Sequence, residues 1–222
     1  MFNSKKMVIN KPDSLIFDMD GTLWDAVDTY VASWNAALEK EKIDLVMTAE
    51  DLGFMMGWEK RKVLERMLPD YSFEEQERIF EIINVFRSEL ISEMGGKLYD
   101  GVVDGLTLLS KEYRLFIVSN CPENLIQQFM EFCKISHLIT DEMAHGVNSK
   151  PKNYNIKLLI EKHGLKNSVY IGDTQTDSEE SRMAQLPFVF LSYGFGKTDD
   201  YDLKFDDFGS FTNHFLDLAG KK

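Results

Sequence analysis

Four short apolar runs, at residues 15–17, 115–118, 169–171 and 188–191, are bounded by turn-forming residues and lack the polar alternation of a half-solvated strand. Such runs suit strands covered on both faces, as in a parallel sheet. Helical-period segments separate the later runs, at 103–113, 122–134, 154–163 and 177–185. This alternation predicts an α/β fold built on a doubly wound, mainly parallel sheet. A weaker strand is expected near Leu138 and Ile139. After Gly194 the chain reads as a loop, a short strand and a helix near 211–218.

Between the first two runs lies a long interruption, residues 25–95, with a helical pattern and no convincing strand. It reads as a small α-helical domain inserted into a discontinuous core formed by 1–24 and 96–222. Thr48 followed by Asp51, and Ser72 followed by Glu75, are capping signals for helix starts, and Pro69 separates two helices. Gly95 and Gly96 mark the exit. A chain of 222 residues can bury a core of this size.

Acidic residues outnumber basic ones 37 to 25, for a net charge of -12. That balance argues against a broad electrostatic grip on nucleic acid or an anionic membrane. No segment is apolar enough to span a bilayer, and the first residues lack the long apolar stretch of a secretion signal. The two cysteines, Cys121 and Cys133, form no disulfide framework and share no metal-ligand spacing with the four histidines. A soluble, cytoplasmic protein with ordinary buried thiols is expected, and a monomer is compatible with the sequence.

In an open parallel sheet, ligands bind beyond the carboxyl ends of the strands. The residues there are Asp18-Met19-Asp20-Gly21-Thr22 after the first run, Ser119-Asn120 after the second, Lys150-Pro151 before a helix, and Gly172-Asp173-Thr174-Gln175-Thr176-Asp177 after the third. Together they supply carboxylates, a hydroxyl and an ammonium, which suits holding Mg²⁺ and a phosphoryl group. Asp18, closest to the sheet, is placed to attack phosphorus as a carboxylate. The backbone turns at Gly21, so Asp20, just before it, can play a different part from Asp18 and could exchange the proton of the leaving oxygen and of water. Thr22 and Asn120 are candidate substrate contacts.

The ordered set D-x-D-G-T, S-N, K-P and G-D-T-x-x-D resembles the haloacid dehalogenase-like superfamily. The helical insert resembles the small cap of its phosphoglycolate phosphatase and β-phosphoglucomutase branch. The resemblance implies that Asp18 is the nucleophile and Asp20 the general acid/base, with metal contacts from Asp18, Asp20 and Asp173. It further implies that Ser119 binds phosphoryl oxygens, Lys150 neutralises developing charge and Asp177 supports the metal waters or Lys150. Backbone N–H groups of the helix near Pro122 could face the phosphate. The stretch "MMGWEKRK" resembles the branch's specificity loop, which makes Lys60 and Trp58 candidate substrate contacts, and the cap is expected to open and close. Asn153, Asp100 and Ala26 depart from the usual branch pattern.

Each signal also has a plainer reading. Asp177 suits the N-cap of the next helix, Ser119 and Asn120 suit a strand end, and Lys150 suits a solvated loop. Lys60 suits an exposed helix face, and Trp58 suits packing inside the cap. The expected activity is Mg²⁺-dependent hydrolysis of a small phosphorylated metabolite through an aspartyl phosphate. A phosphosugar mutase and a non-catalytic metabolite- or protein-binding member are the alternatives. Dehalogenation and phosphonate cleavage are disfavoured because Asp20 is present.

Overall fold

The computed structural model describes residues 6–220, so the first five residues of the stretch expected to lack a secretion signal lie outside it. Among the described residues no helix is long and apolar enough to cross a membrane. The chain divides into two compact units, one from the segment ending at Asp25 and the segment starting at Leu98, the other Ala26–Lys97.

The first unit is built on a six-stranded sheet. Its strands are β1 Ser14–Phe17, β4 Arg114–Ser119, β5 Asp141–Ala144, β6 Ser168–Gly172, β7 Phe188–Leu191 and β8 Leu203–Phe205. Two shorter strands outside it, β2 Trp24–Asp25 and β3 Lys97–Leu98, lie at the two chain crossings between the units. The strand order is β5-β4-β1-β6-β7-β8, with every pairing parallel. The chain builds outward from β1 through β4 and β5, then returns to β6 on the opposite side of β1. That reversal leaves a crevice beyond the carboxyl end of β1.

Alternation along the strands divides the core. Ile16, Phe116, Val118, Tyr170, Phe188 and Phe190 pack with Ile156 and Leu159 of α8, Lys152–His163. Phe17, on the opposite face, meets Phe208 and Phe211 of α10, Phe208–Gly220, with centroids 6.2 and 5.8 Å apart. Burying each such aromatic is worth roughly 1.5–3 kcal/mol. The remaining helices of this unit are α5 Val102–Leu109, α6 Leu125–Phe132, α7 His145–Asn148 and α9 Gln175–Met183.

Near the weak strand expected at Leu138 and Ile139, the chain instead forms a 3-10 turn at Ser136–Leu138 and the edge strand β5 follows. An edge strand packs less apolar surface, and β5 reads Asp-Glu-Met-Ala, which hides it from a hydrophobicity pattern. Cys121 is buried, whereas Cys133 is only half-buried.

The second unit contains α1 Val27–Lys40, α2 Ala49–Met55, α3 Lys60–Met67 and α4 Phe73–Met94. α2 and α4 begin with reciprocal capping boxes, Thr48 with Asp51 and Ser72 with Glu75. α1 packs along α4, and the Thr29 hydroxyl donates to the Gly95 carbonyl at 2.6 Å, tying the start of the unit to its end.

Candidate active site

Asp18 follows β1 directly, and its N–H still donates to the Ile171 carbonyl at 2.8 Å. The ladder therefore runs one residue beyond the strand, which keeps Asp18 on the Ile16 side, under α8. The turn then closes through Gly21, at φ +83°, a conformation that costs glycine little. Asp20, beyond the strand, accepts a 2.9 Å hydrogen bond from the Trp24 indole. Ser119 ends β4 and is buried, with the half-buried Asn120 next to it.

Asp173 follows β6 and is fully buried. Its Oδ1 accepts from the Thr22 hydroxyl at 3.2 Å, and its Oδ2 accepts from the Phe195 N–H at 2.8 Å. Asp177 lies one turn into α9, where it forms a capping box with Thr174. Its Oδ2 accepts from the Thr174 hydroxyl at 2.6 Å, the Thr174 N–H at 3.0 Å and the Asp173 N–H at 3.3 Å. Thr174 is thus the N-cap, and Asp177 is its reciprocal partner three residues on.

The ammonium of the cluster belongs to Lys152, not Lys150. Lys152 Nζ lies 3.0 Å from Asp18 Oδ1 and 2.6 Å from Asp177 Oδ1, with its side chain almost wholly buried. It also sits over the Tyr170 ring, 5.6 Å from the centroid. Lys150 is exposed in the turn before α8, with its Nζ 5.9 Å from the Tyr154 ring centroid. The reason is geometric: Pro151 is the N-cap of α8 and Lys152 its first residue. Lys152, Ile156 and Leu159 recur at positions i, i+4 and i+7, so one buried stripe carries all three. The sequence signal for Lys152 is a lysine in an apolar helical stripe, two residues beyond the lysine of the K-P pair.

Carboxylate oxygens of Asp18, Asp173 and Asp177 lie within 4.8 Å of one another. Were all three carboxylates ionised beside the one ammonium, the buried space would hold an excess of two negative charges. Burial pushes Asp18 up from 3.8 to about 7 against the pull of Lys152, with Asp177 and Asp20 adding to the rise. Burial likewise holds Asp173 well above the usual carboxylate range, followed by repulsion from Asp177 and Asp18. For Lys152 burial acts downward, but Asp177 and Asp18 outweigh it and hold the ammonium protonated.

The donor set fits a divalent cation. Asp18 Oδ1 is buried and faces the Lys152 ammonium at 3.0 Å, oxygens of Asp18 and Asp173 lie within 4.8 Å of one another, and hard carboxylate oxygens are what Mg²⁺ takes. Asp177 is the least available of the three, since Oδ1 faces Lys152 and Oδ2 is held by Thr174. Asp18 and Asp173 are the ligand candidates, and Asp177 holds the lysine.

The two candidates from the helical unit have partners inside that unit. Lys60 pairs with Glu77 at 2.8 Å and sits over the Phe80 ring, while Trp58 meets Phe54 edge-on. α6 begins at Leu125, three residues after Pro122, behind Asn124 in a left-handed conformation.

The sequence matches the haloacid dehalogenase-like hydrolase family over residues 15–191. A phosphoglycolate phosphatase from Aliivibrio fischeri is 26% identical over 192 residues, covering 82% of this chain and 84% of its own. One from Agrobacterium fabrum is 26% identical over 216 residues, covering 89% of each chain. Among solved structures, a haloacid dehalogenase-like hydrolase from Streptococcus pneumoniae superposes with a TM-score of 0.81 at 19% identity, covering 92% of this chain and 99% of its own. CbbY from Rhodobacter sphaeroides, solved in complex with phosphate, superposes with a TM-score of 0.79 at 14% identity, covering 90% and 96%. These two share the fold. With the family match spanning most of the sequence, and with an acidic cluster at the switch point of a six-stranded parallel sheet, the chain belongs to the haloacid dehalogenase-like hydrolases.

Proposed function

We propose that the protein is a phosphatase that hydrolyses a small phosphomonoester through an aspartyl phosphate on Asp18, with Mg²⁺ as its cofactor. One observation carries this reading: the buried carboxylate of Asp18 faces a buried ammonium beside two further buried carboxylates. Asp18 and Asp173, with the backbone carbonyl of Asp20, would hold Mg²⁺. When bound, the ion supplies positive charge that lets an anionic phosphoryl group approach an ionised carboxylate.

The chain's own residues supply the rest. Asp18 Oδ attacks phosphorus, the ester P–O bond breaks, and Asp20 gives its proton to the departing oxygen. Water then attacks the same phosphorus and gives a proton to Asp20, and the bond from phosphorus to Asp18 breaks to release inorganic phosphate. The Trp24 indole bond keeps the Asp20 carboxyl oriented for both transfers. Lys152 balances the charge on the transferring group, the role expected of Lys150 from the K-P pair. Ser119, at the end of β4, is suited to donate a hydrogen bond to a phosphoryl oxygen.

The names of the relatives make phosphoglycolate the first substrate to try. The test is release of inorganic phosphate from phosphoglycolate, sugar phosphates, nucleotides and flavin mononucleotide, with Mg²⁺ and with chelator. We expect Mg²⁺-dependent release that vanishes in Asp18→Asn while the far-UV spectrum is retained. Turnover surviving in that variant would overturn the assignment of the nucleophile. An isomerised sugar phosphate without net release would replace hydrolysis by a mutase reaction.

A further inference from the structure

The loop that follows β7, from Ser192 to Gly196, closes against Asp173 in a way that packing alone does not require. Its Phe195 N–H donates to Asp173 Oδ2 at 2.8 Å. The Tyr193 hydroxyl donates to the Thr22 carbonyl at 2.7 Å, and Thr22 in turn donates its own hydroxyl to Asp173 Oδ1. The Tyr193 ring is backed by Tyr99, with centroids 4.6 Å apart. Both oxygens of Asp173 are therefore addressed, one from the loop and one from the turn after β1, and Tyr193 ties these two segments together.

Three glycines make this approach possible. A Cβ on Gly194 would lie 2.4 Å from the Asp173 Cβ and Oδ2 and from the Gly21 carbonyl oxygen. One on Gly21 would lie 2.2 Å from Asp173 Oδ2, and one on Gly196 would lie 2.7 Å from the Asp173 carbonyl oxygen. Separations this short are far inside van der Waals contact, so the backbones press on Asp173 from two directions. Gly194, Phe195 and Gly196 of the loop also line a cleft of about 700 Å³ with Gln175, Phe190 and Lys197. The Phe195 N–H and the Tyr193 hydroxyl are the loop's polar ties to Asp173 and to the turn that carries Thr22.

We propose that Tyr193, Gly194 and Phe195 form a positioning clasp that fixes the direction and depth of the Asp173 carboxylate, so that a divalent cation meets a preset ligand. This deepens the metal reading given above and rests on it. The clasp residues touch Asp173 and its neighbours, and they are positioning residues. Outer partners that orient a ligating carboxylate are typically worth about 10–100-fold in metal affinity. The Phe195 N–H also favours the charged carboxylate against burial.

The test is Mg²⁺ binding by calorimetry on chelator-stripped protein, which needs no turnover. In Gly194→Ala the added methyl would collide with Asp173 and the Gly21 carbonyl, and the displacement this forces should weaken Mg²⁺ binding about tenfold or more. Tyr193→Phe keeps the ring and removes only the hydroxyl bonded to Thr22, and it should weaken binding in the same direction. Gly53→Ala, where a Cβ meets nothing within 4 Å, should leave binding unchanged. At saturating Mg²⁺ the KM for substrate should match the parent in both clasp variants, with the Mg²⁺ requirement raised. If Gly194→Ala unfolds, Tyr193→Phe alone decides. A parent that binds Mg²⁺ alongside clasp variants of undiminished affinity would overturn the clasp, and a parent that takes up no Mg²⁺ would overturn the metal reading and the clasp with it.

Discussion

At the residue scale, a lysine almost wholly removed from water is tolerated because its charge is matched on two sides. Removing one partner of a buried ion pair typically costs about 3–5 kcal/mol, since the other charge is left unpaired. Lys152 stands between Asp18 and Asp177, whereas Lys150 faces a tyrosine ring in the open. We expect Lys152→Met to lower kcat by about a thousandfold or more, and Lys150→Met to change it less than about threefold. Steady-state phosphate release at saturating Mg²⁺ separates the two, and the reverse ranking would return the catalytic role to the K-P lysine. Asp18 and Asp173 stand out in the sequence because each lies within two residues of the end of an apolar run. Lys152 does not stand out in the same way, because its signal is the phase of a helix that starts at Lys152, two residues before the helical pattern that begins at 154.

At the element scale, one device is used for two purposes. Ser72 with Glu75 and Thr174 with Asp177 are the same reciprocal cap, and removing the hydroxyl at an N-cap typically costs about 1 kcal/mol. In α4 the carboxylate partner has no further task. In α9 the partner's second oxygen holds Lys152 at 2.6 Å, so the cap also fixes the buried ammonium to which we assign the catalytic role. We expect Ser72→Ala and Thr174→Ala to lower stability by similar amounts, about 1 kcal/mol each by urea unfolding. Only Thr174→Ala should lower kcat, by about tenfold, and Thr174→Ser should restore it. Equal kcat in the two alanine variants would make the α9 cap purely structural. Helix caps could be read from residue spacing because the interaction is local. The edge strand β5 could not, because its place is set by pairing with β4 across more than twenty residues of chain.

At the scale of the whole molecule, the strand order draws together acids that are about 155 residues apart in sequence, and the cost of doing so depends on pH. In the unfolded chain Asp18 titrates near 3.8, and burial raises it to about 7 in the folded state. Between those values the folded protein holds more protons than the unfolded one. Stability of the metal-free protein therefore falls as pH rises through that window, by an amount on the order of 4 kcal/mol for Asp18 alone. Asp173, raised in the same direction, adds to the fall. A divalent cation would relieve the same repulsion, and it competes with protons for these oxygens. We expect chelator-stripped protein to unfold at lower urea near pH 8 than near pH 5, and Mg²⁺ to raise the midpoint more at the higher pH. Asp18→Asn should flatten the metal-free pH response and, near pH 8 without metal, unfold at higher urea than the parent. An Mg²⁺ effect of equal size at both pH values, or a variant less stable than the parent at the higher one, would mean that the three acids are balanced by the protein itself and that the cluster was not built around a missing positive charge.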